Sequence, residues 1–213
     1  MSAGAAFGNR WLGPPIVRAL RAAVTGTEHV PPHGGVLVAA NHMSFLDHFL
    51  LGAASPRPLV FLGKSELTRG IGGRINLAFG MIPVDRGRGD LEALQPVADM
   101  LAGGTGVAIF PEGTQSPTGE LFRFRSGLAR LAAMAQVPVV PVGLVGTEVV
   151  WPRGERLALG RARRGVLQVR FGPVLAPPST DPRARRAFTE TLHHAVAELS
   201  GQGLADTFAP ISV

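Results

Sequence analysis

Val36-Leu37-Val38-Ala39-Ala40-Asn41-His42-Met43-Ser44-Phe45-Leu46-Asp47 runs from a short apolar stretch through a polar turn into helix-period sequence. An apolar run of strand length with no polar alternation predicts a strand buried on both faces, the kind found inside a parallel sheet. The pattern repeats along the chain. Further strands are expected at Leu59 to Leu62, Met81 to Val84, Gly106 to Phe110, Val137 to Val142 and Val166 to Phe171. Between them lie helical patterns near Phe45 to Ala53, Leu67 to Ala78, Leu91 to Leu101 and Gly127 to Gln136. Gly103-Gly104 ends the third as a left-handed turn would. Asp181 and Pro182 open a last helix to about Leu199, the acid as N-cap and the proline in the first turn. Strands alternating with helices predict an α/β fold, with a mostly parallel or mixed central sheet flanked by helices.

The sequence before the first of these strands has another character. Pro14-Pro15 can open a short helix with Ile16, Val17, Leu20 and Val24 on one face and Arg18 and Arg21 off it, Trp11 lying just upstream. Residues 1–24 therefore read as an N-terminal amphipathic helical element, packed on the sheet or lying on a membrane.

At 213 residues, 46% of them hydrophobic and 17% charged, the chain fits one domain with a sizeable core. No apolar run approaches the ~18 residues of a membrane-spanning helix. Met1 to Arg10 lacks a basic region followed by an apolar run, so a secretory leader is not expected. The absence of Cys excludes disulfides, thiolate nucleophiles and Cys-ligated metal. The net charge of +6 comes almost wholly from arginine, Lys64 being the only lysine. That balance admits nucleic acid, an anionic membrane or a phosphorylated small molecule as partner. With aromatics at 6%, no Tyr and no zinc-finger, RNP-type or basic-zipper pattern, nucleic acid is not expected.

Three loops concentrate reactive side chains. In the first, His42 stands in the turn and Asp47 in the first helical turn, where its carboxylate can reach back to one imidazole nitrogen while the other takes a proton. Ser44-x-x-Asp47 also has the spacing of a helix capping box, which needs no chemistry at all. The second loop is Gly80-Met81-Ile82-Pro83-Val84-Asp85-Arg86-Gly87-Arg88-Gly89, a strand running into a glycine-rich basic turn that can fork a phosphate, or simply be solvated. The third is Phe110-Pro111-Glu112-Gly113-Thr114-Gln115-Ser116, a tight turn after a strand. Downstream, Phe122-Arg123-Phe124-Arg125-Ser126-Gly127 brings two cations to the start of a helix, and the prolines of Val137 to Val142 imply an edge strand or irregular ends. No G-x-S-x-G elbow exists, so a covalent acyl-enzyme on Ser is not expected, nor one on Cys. No H-E-x-x-H or comparable cluster suggests a metal, and adjacent His193 and His194 are expected at the surface. A His–Asp pair with no nucleophile of its own points to activation of a substrate hydroxyl.

Together these stretches resemble the glycerolipid acyltransferases, specifically the lysophosphatidic acid acyltransferase type. That family carries N-H-x-S-x-x-D, G-x-I-P-V-D-R, F-P-E-G-T and a V-P-[VI]-[VI]-P-V strand in this order. They stand here at Asn41–Asp47, Gly80–Arg86, Phe110–Thr114 and Val137–Val142. The similarity extends to Gly26-Thr27-Glu28-His29-Val30-Pro31, Lys64-Ser65-Glu66-Leu67 and Phe171-Gly172-Pro173, covering roughly residues 25–175. Two positions depart from the pattern: Gln115 stands where the family commonly has Arg, and Arg125 where it has Lys in F-K-x-G.

The resemblance implies a glycerol-3-phosphate acyltransferase-like domain over 25–213. It makes His42 the general base and Asp47 the residue that orients it. The acceptor phosphate falls to Arg86, with Glu112, Gly113 and Thr114 shaping its site and Arg125 a further candidate. It implies an acyl-CoA or acyl carrier protein thioester as co-substrate, with no metal or tightly bound cofactor. The expected partners are a lysophospholipid acceptor and an anionic membrane surface, on the cytoplasmic face of the cell membrane, peripherally bound. Gln115 leaves room for another lysolipid acceptor, such as an ornithine lipid. A non-catalytic lipid-binding module and a hydrolase are the remaining alternatives.

Overall fold

The computed structural model describes residues 13–63, 81–83 and 94–210. Its strands are β1 Ala23–Thr25, β2 Val36–Ala40, β3 Leu59–Gly63, β4 Met81–Pro83, β5 Gly106–Ile109, β6 Val139–Val145 and β7 Gln168–Phe171. Its α-helices are α1 Gly13–Ala19, α2 Leu46–Ala54, α3 Gln95–Ala102, α4 Gly127–Ala135, α5 Thr147–Val150 and α6 Pro182–Ser200. The strands form one sheet in the order β1-β7-β6-β2-β5-β3-β4. β6, β2, β5, β3 and β4 run parallel, whereas β7 is antiparallel to β6 and parallel to β1. The mixed sheet expected from the alternation of elements is present.

β2 occupies the middle of the sheet, and all its residues are buried. Its side chains divide by parity. Val36, Val38 and Ala40 join Leu46, Leu50, Leu51 and Ala54 of α2 on one face. Leu37 and Ala39 join α3, α4 and α6 on the other, through Leu101, Leu131 and Leu192. Each fully buried Val or Leu contributes roughly 1.5–3 kcal/mol relative to exposure, so an unbroken apolar run is what a two-faced central strand requires.

Several boundaries differ from expectation for identifiable reasons. The strand expected at Val137 to Val142 begins at Val139 and continues to Val145. It is interior, between β2 and β7, not at an edge. Pro141 is tolerated because β7 ends at Phe171, opposite Val142, and pairing resumes only at the single Val139–Leu175 bridge. The proline thus sits at a break in the ladder, where its carbonyl accepts from the Gly172 N–H. Val24 lies in β1 rather than on the N-terminal helix. That helix packs on the protein: Leu20 is buried, and Ile16, Val17 and Val24 lie against the core beneath α2. A Cβ on Gly13 would come within 2.6 Å of the Ala53 carbonyl oxygen, which is how closely α1 approaches α2. The left-handed residue ending α3 is Gly104, at φ 88°. α6 is capped as expected, Asp181 accepting from the N–H groups of Arg183 and Ala184. The helix expected at Leu67 to Ala78 lies outside the described residues. Among the described residues, no helix is long and apolar enough to cross a membrane.

Candidate active site

β2 delivers its loop to the carboxyl end of the sheet between β6 and β5, and both neighbours grip it. Asn41 is fully buried and works as a piece of backbone: its side chain donates to the Leu144 carbonyl at 2.9 Å and accepts from the Leu144 N–H at 2.7 Å. Pairing with β6 is thereby prolonged past the last residue of β2. On the other side, the His42 N–H donates to Glu112 Oε1 at 2.9 Å, and the His42 carbonyl accepts from the Ser116 N–H at 2.7 Å. The His42 ring stacks on Phe110, centroids 4.1 Å apart and planes inclined by 15°.

The His–Asp pair is present, and of the capping box only the half made by Asp47, both through a single oxygen. Asp47 Oδ2 accepts from the N–H groups of Met43 at 2.7 Å and Ser44 at 2.8 Å, and lies 2.8 Å from His42 Nδ1. Asp47 is fully buried at the start of α2. A carboxylate oxygen holding two backbone donors takes a third from Nδ1–H, which leaves the Nε2 lone pair able to accept a proton. The imidazole is 17% exposed, enough for a substrate to approach. Ser44 Oγ donates to the Trp151 carbonyl at 2.6 Å and accepts from the Leu46 N–H, tying the loop to the segment after α5.

Glu112 is turned inward. Its carboxylate is fully buried, Oε1 on the His42 N–H and Oε2 on the Phe122 N–H at 2.9 Å. Burial, reinforced by the nearby Asp47 charge and only partly offset by the two N–H bonds, pushes its pKa up to about 7. It braces the loop that carries His42. Gly113, at φ 82°, passes so close to Arg125 that a Cβ would lie 3.0 Å from the guanidinium Nε. Thr114 is half-buried in the same turn. Arg125 Nε donates to the Glu112 carbonyl at 3.3 Å and an Nη donates to the Ala209 carbonyl at 3.0 Å. Its guanidinium stands 5.5 Å from the Phe208 ring centroid. The structure thus brings His42, Asp47, Glu112, Gly113, Thr114 and Arg125 together; Arg86 and Arg88 lie outside the described residues. His193 is half-buried, not a surface residue, with its Nε2 3.3 Å from the Leu121 carbonyl and its pKa lowered chiefly by burial.

The family model described as Acyltransferase matches residues 21–145, more than half of the chain and all of the loop from Asn41 to Asp47. The chain belongs to this acyltransferase family. The 1-acyl-sn-glycerol-3-phosphate acyltransferase alpha of Mus musculus is 31% identical over 193 residues, 87% of this chain and 67% of that protein. The Homo sapiens protein of the same name is 32% identical over 181 residues, 83% of this chain and 62% of its own length. The chain therefore spans about two thirds of these relatives. The crystal structure of the 1-acyl-sn-glycerophosphate acyltransferase of Thermotoga maritima superposes with a TM-score of 0.68 at 23% identity, covering 91% of this chain and 81% of that one. It shares the fold of this acyltransferase.

Two features escaped sequence reasoning. Asn41 carries the motif's first letter, yet its partner on β6 lies 103 residues away. Arg153 donates to the Gln115 carbonyl at 3.3 Å, bringing a cation to the position where the family commonly has its own arginine. No local pattern around Arg153 signals this.

Proposed function

We propose that this acyltransferase moves a fatty acyl group from a coenzyme A or acyl carrier protein thioester to the free hydroxyl of 1-acylglycerol-3-phosphate, giving phosphatidic acid, while bound peripherally at the cytoplasmic face of a membrane. The observation that carries the chemistry is the 2.8 Å contact between His42 Nδ1 and the buried Asp47 carboxylate, which leaves Nε2 available. Nε2 takes the hydroxyl proton as the oxygen attacks the thioester carbonyl. Collapse of the tetrahedral adduct breaks the C–S bond, and the imidazolium returns the proton to the departing thiolate. A thiol of pKa about 8.5 leaves readily, so one base serves both halves of the reaction. Asp47 orients the ring and steadies the imidazolium, and Glu112 positions the loop. Arg86 and Arg125 are the cations proposed for the acceptor phosphate. The names borne by the mouse and human relatives support this acceptor.

Gln115 favours a second reading, in which a less anionic lysolipid is the acceptor. Arg153, reaching the Gln115 carbonyl, supports the phosphomonoester instead. An acceptor panel decides between them: purified protein, one acyl-CoA, several lysolipids, and products read by mass. Phosphatidic acid is the expected product, and its formation should fall on the order of 10²–10⁴-fold in His42→Ala. Wild-type turnover by folded His42→Ala would overturn the mechanism. Acylation only of lysolipids without a phosphomonoester would change the substrate and keep the reaction.

A further inference from the structure

β6 and β7 are joined by a surface excursion, residues 146–167, that holds α5 and a single helical turn at Leu159–Arg161. Because β6 runs parallel to β2, the excursion leaves the sheet at the same end as the loop that carries His42. It is fastened there. The Trp151 carbonyl accepts from Ser44 Oγ, the Trp151 ring meets Phe45 edge-on with centroids 5.1 Å apart, and Arg153 donates to the Gln115 carbonyl. Within the excursion, the Ala158 N–H donates to the Val150 carbonyl at 2.8 Å and Arg161 donates to the Val149 carbonyl at 3.5 Å. These bonds fold the helical turn back against α5.

The outer surface of the excursion mixes two kinds of side chain. Val149, Leu157 and Leu159 are exposed, Leu159 by 55%. They are half of the large hydrophobic residues exposed among those described, so they are concentrated here, not scattered singly as such side chains usually are. Interleaved with them, Arg153, Arg156, Arg161, Arg163 and Arg164 are exposed, against the carboxylates of Glu148 and Glu155. Aliphatic groups among arginines suit the boundary of an anionic bilayer, where the first enter the acyl layer and the second meet phosphates. A protein partner would call for an aromatic anchor, and Leu and Val are under-represented in such hot spots. The one aromatic ring of the excursion, Trp151, is turned inward against Phe45 and the core. In α1, the other amphipathic candidate, Ile16 and Val17 already lie against the core.

We propose that the β6–β7 excursion is the surface that seats this protein on an anionic bilayer, with Val149, Leu157 and Leu159 entering the interface and the arginines meeting lipid phosphates. The inference rests on the acyl-transfer reading and goes further by naming the face that meets the membrane. A lysophospholipid in a leaflet carries its free hydroxyl at the level of the headgroups. An excursion seated at that level holds the loop of His42 against the headgroups, through its ties to Ser44 and Gln115. The acceptor then reaches the imidazole while its acyl chain stays in the leaflet.

Cosedimentation of the whole chain with vesicles of phosphatidylcholine, alone or with phosphatidylglycerol, tests the surface without reference to turnover. The anionic vesicles are expected to bind roughly tenfold or more tightly, with the difference shrinking as salt is raised. Leu159→Glu and Arg164→Glu, both at exposed positions, should each weaken that binding about tenfold. Val174 is also exposed but follows the end of β7 that pairs toward the start of β6, at the opposite end of the sheet. Val174→Glu should therefore leave binding within about twofold of wild type. The KM for lysophosphatidic acid presented in anionic vesicles should rise in parallel with the lost binding. That for a short-chain, monomeric lysophosphatidic acid should stay within about twofold. Equal losses in Leu159→Glu and Val174→Glu, or binding no tighter to anionic than to neutral vesicles, would overturn the proposal. So would a protein that ignores vesicles but self-associates in a way that Leu159→Glu abolishes, which would make the excursion an interface between copies. Vesicle binding sensitive to both variants, in a protein that acylates no lysolipid, would uphold the surface and overturn the reaction.

Discussion

Replacing Asp47 by Asn separates the two tasks that one oxygen performs. Oδ2 accepts from Met43 N–H, Ser44 N–H and His42 Nδ1 at 2.7–2.8 Å, and the carboxylate is fully buried. An amide oxygen of the same shape can keep the two backbone bonds, but as neutral bonds of roughly half the strength. The new NH2 group takes the place of Oδ1, which is buried and has no partner among the described residues. Two weakened bonds and an unmatched amide give a stability loss of about 2–4 kcal/mol. The chemistry suffers more. The imidazolium formed during proton transfer loses its counter-charge, and rotation of the amide would present N–H to Nδ1, placing the ring proton on Nε2 where a lone pair is needed. The expected fall in kcat is on the order of 10²–10⁴-fold. Thiol release from acyl-CoA, followed with a thiol-reactive dye, measures it directly; because the chain has no Cys, the protein adds no background. Urea unfolding supplies the stability arm. A folded Asp47→Asn protein with kcat within about threefold of wild type would refute the assignment and reduce Asp47 to a helix cap.

Glu112→Gln should alter how stability depends on pH. With a folded pKa of about 7 against an ordinary value of 4.5, folded Glu112 keeps a proton that the unfolded chain has lost between those limits. Stability therefore falls by about 3 kcal/mol as pH rises through that window, then levels off. Gln removes this component, so urea midpoints at pH 5 and 8 should differ less in the variant; parallel curves would deny the raised pKa. Gln115→Arg is expected to lower the KM for lysophosphatidic acid modestly and leave the donor KM unchanged, and a raised acceptor KM would mean that Arg153 already fills the place. Deleting residues 1–24 removes α1 and most of β1 together with the Leu20 contact to the core, so a loss of several kcal/mol in urea unfolding is expected. An unshifted midpoint would show that this packing contributes nothing, and vesicle sedimentation of the truncated chain tests the segment's share in membrane binding.

The unbroken apolar run at Val36–Ala40 was enough to predict a central two-faced strand, because only a residue pattern without alternation can be buried on both sides. The Asp181-Pro182 start of α6 and the Gly103-Gly104 stop of α3 were equally readable, since capping and left-handed turns depend on a few consecutive residues. His42 and Asp47 could be paired from their spacing for the same reason. Contacts made by distant residues were not readable. Two prolines argued for an edge strand or irregular ends, yet whether Pro141 loses a hydrogen bond depends on where β7 stops, and β7 lies far along the chain. Glu112 looked like part of a turn facing the acceptor; burial and the N–H groups of His42 and Phe122 make it an internal brace with a raised pKa. Arg153 reaches Gln115 across 38 residues, and Asn41 reaches Leu144 across 103. The sequence by itself determined most of the described elements and the order of the loops, which follow from local stereochemistry, while the choice of His42 as base came from the resemblance to a family. Only the tertiary structure decided which loops meet at the carboxyl end of the sheet and which carboxylate is dry. Hydration, charge and hydrogen bonding at a site are set by neighbours in space, and those neighbours come from segments that the sequence keeps far apart.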